Sequence, residues 1–166
     1  MTAQIPDTIY CDGEELDLLC SPEVADGAPR VVSVPDGHLG HTACYRGYVA
    51  TWAVRDEQLY LLAVEGNYEM DSDVPLFAKW VSGILRIGAG DVKRYRHGGF
   101  ETRYETEHFL EIERGVVLRT HTVSEGDPEY PNIGICSECG VIHVPGNDSQ
   151  RARCHAARGR RFWGQS

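Results

Sequence analysis

No stretch of this chain stays apolar for more than a few residues, so nothing in it reaches the roughly 20 apolar residues that a membrane-spanning helix requires. Residues 1–7 have neither the charged start nor the apolar stretch of a secretion signal. A cytoplasmic chain with reduced thiols is therefore the expectation. Lysine is scarce: 14 of the 16 basic residues are arginine, a bias closer to genomic base composition than to recognition chemistry. A Gly-x-Ser-x-Gly elbow, a glycine-rich phosphate loop before a helix and His-Glu-x-x-His are all missing. Their absence argues against the common hydrolase and nucleotide-binding classes, while a site assembled from distant strands stays open.

What is present suffices for a core. A hydrophobic content of 42% with 15 aromatic residues excludes a mostly disordered chain. At 166 residues the expectation is one domain with a small appendage, burying roughly 70% of its unfolded surface without help from disulfides. Charge divides the chain. Residues 1–135 hold 23 acids and 11 bases, residues 136–166 hold 2 acids and 5 bases, and the total is −9. An acidic body repels phosphate, so nucleic acid is an expected partner only through the basic tail.

Turn signals at regular spacing and the lack of a helical period predict a mainly β body, an antiparallel sandwich or barrel over residues 1–130. Asp12-Gly13 joins Thr8-Ile9-Tyr10-Cys11 to Glu15-Leu16-Asp17-Leu18 as a tight hairpin. Asp56-Glu57 turns the strand Tyr48 to Arg55 into Leu59 to Val64, and Glu113-Arg114-Gly115 turns Phe109 to Ile112 into Val116 to Thr120. Gly88-Ala89-Gly90-Asp91 reads as a further turn between two strands.

Residues 131–166 form the second expected unit, a zinc-knuckle-like basic tail. Cys136-Ser137-Glu138-Cys139-Gly140 places two thiols so that a tight turn brings both to one tetrahedral metal, and Gly140 suits the positive φ of such a turn. Val141-Ile142-His143-Val144 reads as strand, whereas a redox C-x-x-C pair opens a helix. A short helix over residues 150–158, capped by Asp148 or Ser149 and ended by Gly159, would carry Cys154. The tail resembles a treble-clef or ribbon-type zinc finger, which implies one structural zinc held by Cys136, Cys139, Cys154 and either His143 or His155. His143 is favoured because residues 154 and 155 diverge by about 100° on a helix.

Other constellations carry less. His38-x-x-His41-x-x-Cys44 has metal-like spacing where a loop meets a strand, and Glu105-x-x-His108 points to opposite sides of a strand. Cys11, Cys20 and Cys44 read as small buried or half-buried apolar residues. Lys93-Arg94-Tyr95-Arg96-His97 is a local basic cluster read as a solvated strand face. Tyr48, Trp52 and Trp80, with Arg46 or Arg86, are candidates for an aromatic pocket gripping an anionic ligand.

The stretches Ala43-Cys44-Tyr45-Arg46-Gly47-Tyr48-Val49-Ala50-Thr51-Trp52, Leu76-Phe77-Ala78-Lys79-Trp80-Val81-Ser82-Gly83-Ile84-Leu85-Arg86-Ile87 and Glu113-Arg114-Gly115-Val116-Val117 resemble a group of small bacterial β-rich proteins of unassigned function. The resemblance spans about residues 8–123 and implies a small soluble bacterial protein, with no activity attached. The functional expectation is a binding or regulatory module, an adapter or immunity-type partner of a basic protein. Zinc would order Arg151, Arg153, Arg158, Arg160 and Arg161 with Phe162 and Trp163 into a contact patch. The competing expectation is an enzyme or small-ligand binder that uses the aromatic and arginine pocket.

Overall fold

The computed structural model describes residues 5–22, 24, 28–35, 44, 46–94 and 102–127. Every regular element among them is a strand: β1 (Asp7–Cys11), β2 (Glu14–Leu18), β3 (Val31–Ser33), β4 (Tyr48–Arg55), β5 (Gln58–Gly66), β6 (Tyr68–Met70), β7 (Leu76–Phe77), β8 (Gly83–Arg94), β9 (Arg103–Glu113) and β10 (Val116–Ser124). No helix among them is long and apolar enough to cross a membrane.

Seven strands close into a barrel in the order β10-β9-β8-β2-β1-β4-β5, with β10 returning to β5. Strand β7 hangs on β5, and β3 with β6 forms a separate ribbon. Neighbours are antiparallel except β1 and β4, which run parallel through Thr8↔Thr51, Ile9↔Trp52 and Tyr10↔Ala53. Three turns use positive φ at both central residues: Asp12 and Gly13, Asp56 and Glu57, Arg114 and Gly115. That geometry matches the right-handed twist of the flanking strands, which is why two-residue hairpins favour it.

The interior follows the two-residue period of the strands. Ile9, Leu18, Ala50, Trp52, Leu59, Leu61, Leu85, Ile87, Leu110 and Ile112 fill it, all buried. Burying each large side chain of this kind stabilises by about 1.5–3 kcal/mol.

The turn expected at Gly88 to Asp91 is instead part of the twelve-residue strand β8. Its pairing with β9 skips between Ala89 and Val92, and Gly90 adopts φ of 76°, so the glycines form a bulge. Gly88 lies under the Tyr104 ring: a Cβ there would sit 2.6 Å from Tyr104 Cγ. Glycine serves close approach here, which its spacing alone does not distinguish from a turn.

Two seams of the barrel are thin. Strands β2 and β8 pair through Asp17↔Gly88 and Leu18↔Ile87. Strands β10 and β5 pair through Val116↔Gln58 alone, reinforced by Val117 N donating to Glu57 O (2.8 Å) and Leu59 N donating to Gly115 O (2.8 Å).

Candidate functional site

The two ends of the barrel differ. At the end where β1 and β4 begin, Asp7 is fully buried on the same strand face as Ile9. Its Oδ1 accepts from Arg46 Nη2 (2.6 Å) and Ala50 N (3.0 Å), and its Oδ2 accepts from Trp52 Nε1 (3.0 Å). Arg46 also donates to Ile5 O (2.8 Å) and lies 5.5 Å from the Tyr48 ring centre. Trp52 and Trp80 meet at 6.4 Å, and Tyr48 donates to Pro22 O (3.3 Å). Cys20 is buried at this end too, and burial pushes its thiol up to about 12.

Of the five residues expected to form an aromatic and arginine pocket, the structure thus joins Arg46 to Tyr48 and Trp52 to Trp80. Trp52 is fully buried, so it fills the interior at this end. Arg86 goes elsewhere: it alternates with the core residues Leu85 and Ile87 and faces the other side of β8. There its Nε donates to Glu107 and its Nη2 to Thr102 O (2.7 Å), while Arg103 Nε donates to the second Glu107 oxygen (2.7 Å). Arg86 and Glu107 are both fully buried. Burial pulls the Arg86 pKa below its ordinary value, and the Glu107 charge opposes that shift. Beside them Tyr104 donates to Asp17 Oδ2 (2.6 Å), and burial, followed by that bond, raises the phenol.

The opposite end is open. A cleft of about 550 Å³ enters the barrel between the β1–β2 hairpin, the β4–β5 turn and β10. Leu16, Val54, Ile87, Leu110 and Val117 give it apolar walls. Asp12, Glu14, Asp56 and Glu57 stand at the rim, all exposed. Arg119 also lines it, but its Nε and Nη2 both donate to Glu111 Oε2 (2.8 and 2.6 Å), drawing its charge back across β9. His108 Nδ1 bonds with Thr122 Oγ1 (2.8 Å). The Cys11 thiol on the wall is held up at about 11, first by burial and then by the Asp12 charge. Such an arrangement suits a cation carried on an apolar stem.

Two sets of residues escaped the sequence reading. Asp7 alternates with Ile9 and Cys11, a pattern that places a carboxylate on the core face. The four rim acids come from separate turns and strands, and only the closed barrel gathers them. Among the described residues no three His, Cys, Asp or Glu side chains are placed to share a metal ion. Cys44 is buried, its Sγ donating to Tyr48 O (3.3 Å). His38, His41 and the expected zinc ligands Cys136, Cys139, His143, His155 and Cys154 lie outside the described residues. No family model, curated protein or solved structure matches this chain.

Proposed function

We propose that the barrel is a binding and regulatory module whose open mouth takes a basic partner protein. The carrying observation is the open cleft, with its apolar walls and its rim of Asp12, Glu14, Asp56 and Glu57. Four carboxylates at the ends of two hairpins concentrate negative potential where a ligand enters, and the body's formal charge adds a longer-range attraction. Burial of an apolar stem supplies affinity, and the rim supplies selection for positive charge. A catalytic reading has less support, because the buried Asp7 carboxylate at the closed end is already taken up by three donors.

The tail belongs to the same proposal through its sequence alone. Cys136, Cys139, Cys154 and His143 would hold one structural zinc, and the arginines beyond would form a second contact patch, one able to meet an acidic protein or RNA. A cytoplasmic location fits reduced thiols.

The test is fluorescence anisotropy with a short labelled peptide alternating lysine and valine, at about 20 mM and about 150 mM salt. Binding should weaken with salt and fall further when Asp12, Glu14, Asp56 and Glu57 become Asn and Gln. Equal binding by that variant would remove the mouth from the proposal.

A further inference from the structure

The barrel is strongly staggered at its last seam. Val116, the first residue of β10, pairs with Gln58, the first residue of β5. Because the two strands run antiparallel, everything in β10 beyond Val117 rises past the Asp56-Glu57 turn. Residues 118–124 climb about 20 Å above it at the usual rise per residue. Along that length β10 pairs with β9 on one side and, among the described residues, with no strand on the other. A strand added on that side would lie in line with β5, beginning just beyond two rim carboxylates and running along the open cleft.

Edge strands are normally blunted by charge or by a bulge. Here the bulge falls between Val117 and Arg119, at the foot of the edge, and Arg119 is tied to Glu111 on the neighbouring strand. Leu118 stands 51% exposed beside the cleft. From these observations we infer that β10 accepts an added strand: an extended partner segment in which lysine or arginine alternates with apolar residues. Main-chain bonds to β10 hold the segment. Its apolar side chains enter the cleft toward Leu16 and Leu110, and its first cationic residues meet Asp56 and Glu57. A second copy of this chain fits less well, since pairing two β10 edges brings two acidic rims together.

This inference rests on the reading of the mouth as a seat for a basic partner, and one experiment separates the two. The full chain is titrated with the labelled lysine–valine peptide and with the same peptide N-methylated along one edge, which blocks strand pairing while keeping charge and side chains. The expected result is binding of the first and a loss of about tenfold or more for the second, since N-methylation removes several ladder bonds at once. Leu118→Lys, an exposed change that leaves the core alone, should weaken the unmodified peptide by setting a like charge on the edge. Thr120→Pro, which interrupts the edge directly, should do the same.

Equal binding of both peptides, abolished together by Asp56→Asn with Glu57→Gln, would overturn strand addition and leave the acidic mouth standing. No binding of either peptide up to ~1 mM would overturn both readings. Self-association that Leu118→Lys abolishes and the peptide does not compete would assign the edge to a second copy and overturn the proposal. If peptide binds only after Arg151, Arg153, Arg158, Arg160 and Arg161 are changed to Gln, the chain's own tail is the occupant and the external partner falls.

Discussion

The closed and open ends of this barrel use the same residue types to opposite purposes. At the closed end one carboxylate, Asp7, sits in the interior and receives three donors. At the open end four carboxylates stand on the rim of a cleft with apolar walls. A carboxylate buried with donors built around it is part of the packing, and removing it strands those donors. A carboxylate on an exposed rim contributes little to stability and remains available to a ligand. Burial and bonding thus separate the two roles where residue identity does not.

The largest test of that contrast is Asp7→Ala. It leaves the Arg46 charge with 11% of its side chain exposed and orphans Ala50 N and Trp52 Nε1. A loss of about 3–5 kcal/mol is expected in urea unfolding. Glu14→Gln at the rim should stay within about 0.5 kcal/mol. Comparable losses from both would erase the distinction between the ends.

The next effect is alkaline. Cys20 at the closed end is pushed up to about 12, chiefly by burial, from an ordinary value near 9. A thiol whose folded pKa is raised disfavours ionisation in the fold. Its contribution is therefore complete below about pH 9 and lost as pH rises toward 12. Between pH 9 and 11 the loss should approach about 2–3 kcal/mol, and Cys20→Ala should flatten that limb of the stability curve. Half-buried Cys11 at the open end, held near 11, should react with iodoacetamide in the folded protein at rates still rising through pH 10, while Cys20 stays unlabelled. Prompt labelling of Cys20 would mean that the closed end is not closed.

The seam at the foot of the cleft gives a smaller effect. Gly115 has φ of 81°, and a Cβ there would lie 2.7 Å from Ala78 O, a backbone atom that cannot move aside alone. Gly115→Ala should cost about 2 kcal/mol by crowding and by left-handed strain. A neutral result would show that the barrel can open along β5 and β10.

How much of this was legible follows from the range of each interaction. Asp12-Gly13, Asp56-Glu57 and Glu113-Arg114-Gly115 stand out as turns because a hairpin turn is a local event; all three have the backbone such turns need, the last at Arg114 and Gly115 with Glu113 ending β9. The mainly β architecture followed from turn spacing and the lack of a helical period, and the buried or half-buried state of Cys11, Cys20 and Cys44 from the small apolar character of a free cysteine. Gly88 and Gly90 misled, because a bulge under Tyr104 and a turn ask the same conformational freedom of glycine. Closure through the single pair Val116↔Gln58 and the parallel pairing of β1 with β4 are long-range facts with no local signature. The mouth inherits that illegibility: Asp12 and Asp56 read as turn residues until the barrel brings their turns to one cleft. Arg46, Tyr48, Trp52 and Trp80 were visible as an aromatic cluster, but composition does not tell a lining ring from a filling one.

The smallest effect tests whether the rim carries strain for a purpose. Asp56 and Glu57 hold φ of 51° and 61°, where asparagine or glycine is the usual occupant. A non-glycine residue there costs about 1 kcal/mol, held in place by the Val117 and Leu59 hydrogen bonds that close the barrel. Glu57→Gly relieves the strain but adds backbone freedom to the unfolded chain, so a net gain of about 0.5 kcal/mol is expected in urea unfolding. The same change should weaken the lysine–valine peptide severalfold by removing one rim charge. Stability rising while binding falls would mark Glu57 as a residue whose strain serves the mouth. If stability falls as well, the turn is simply the best closure this barrel has, and the rim charge at position 57 follows from folding alone.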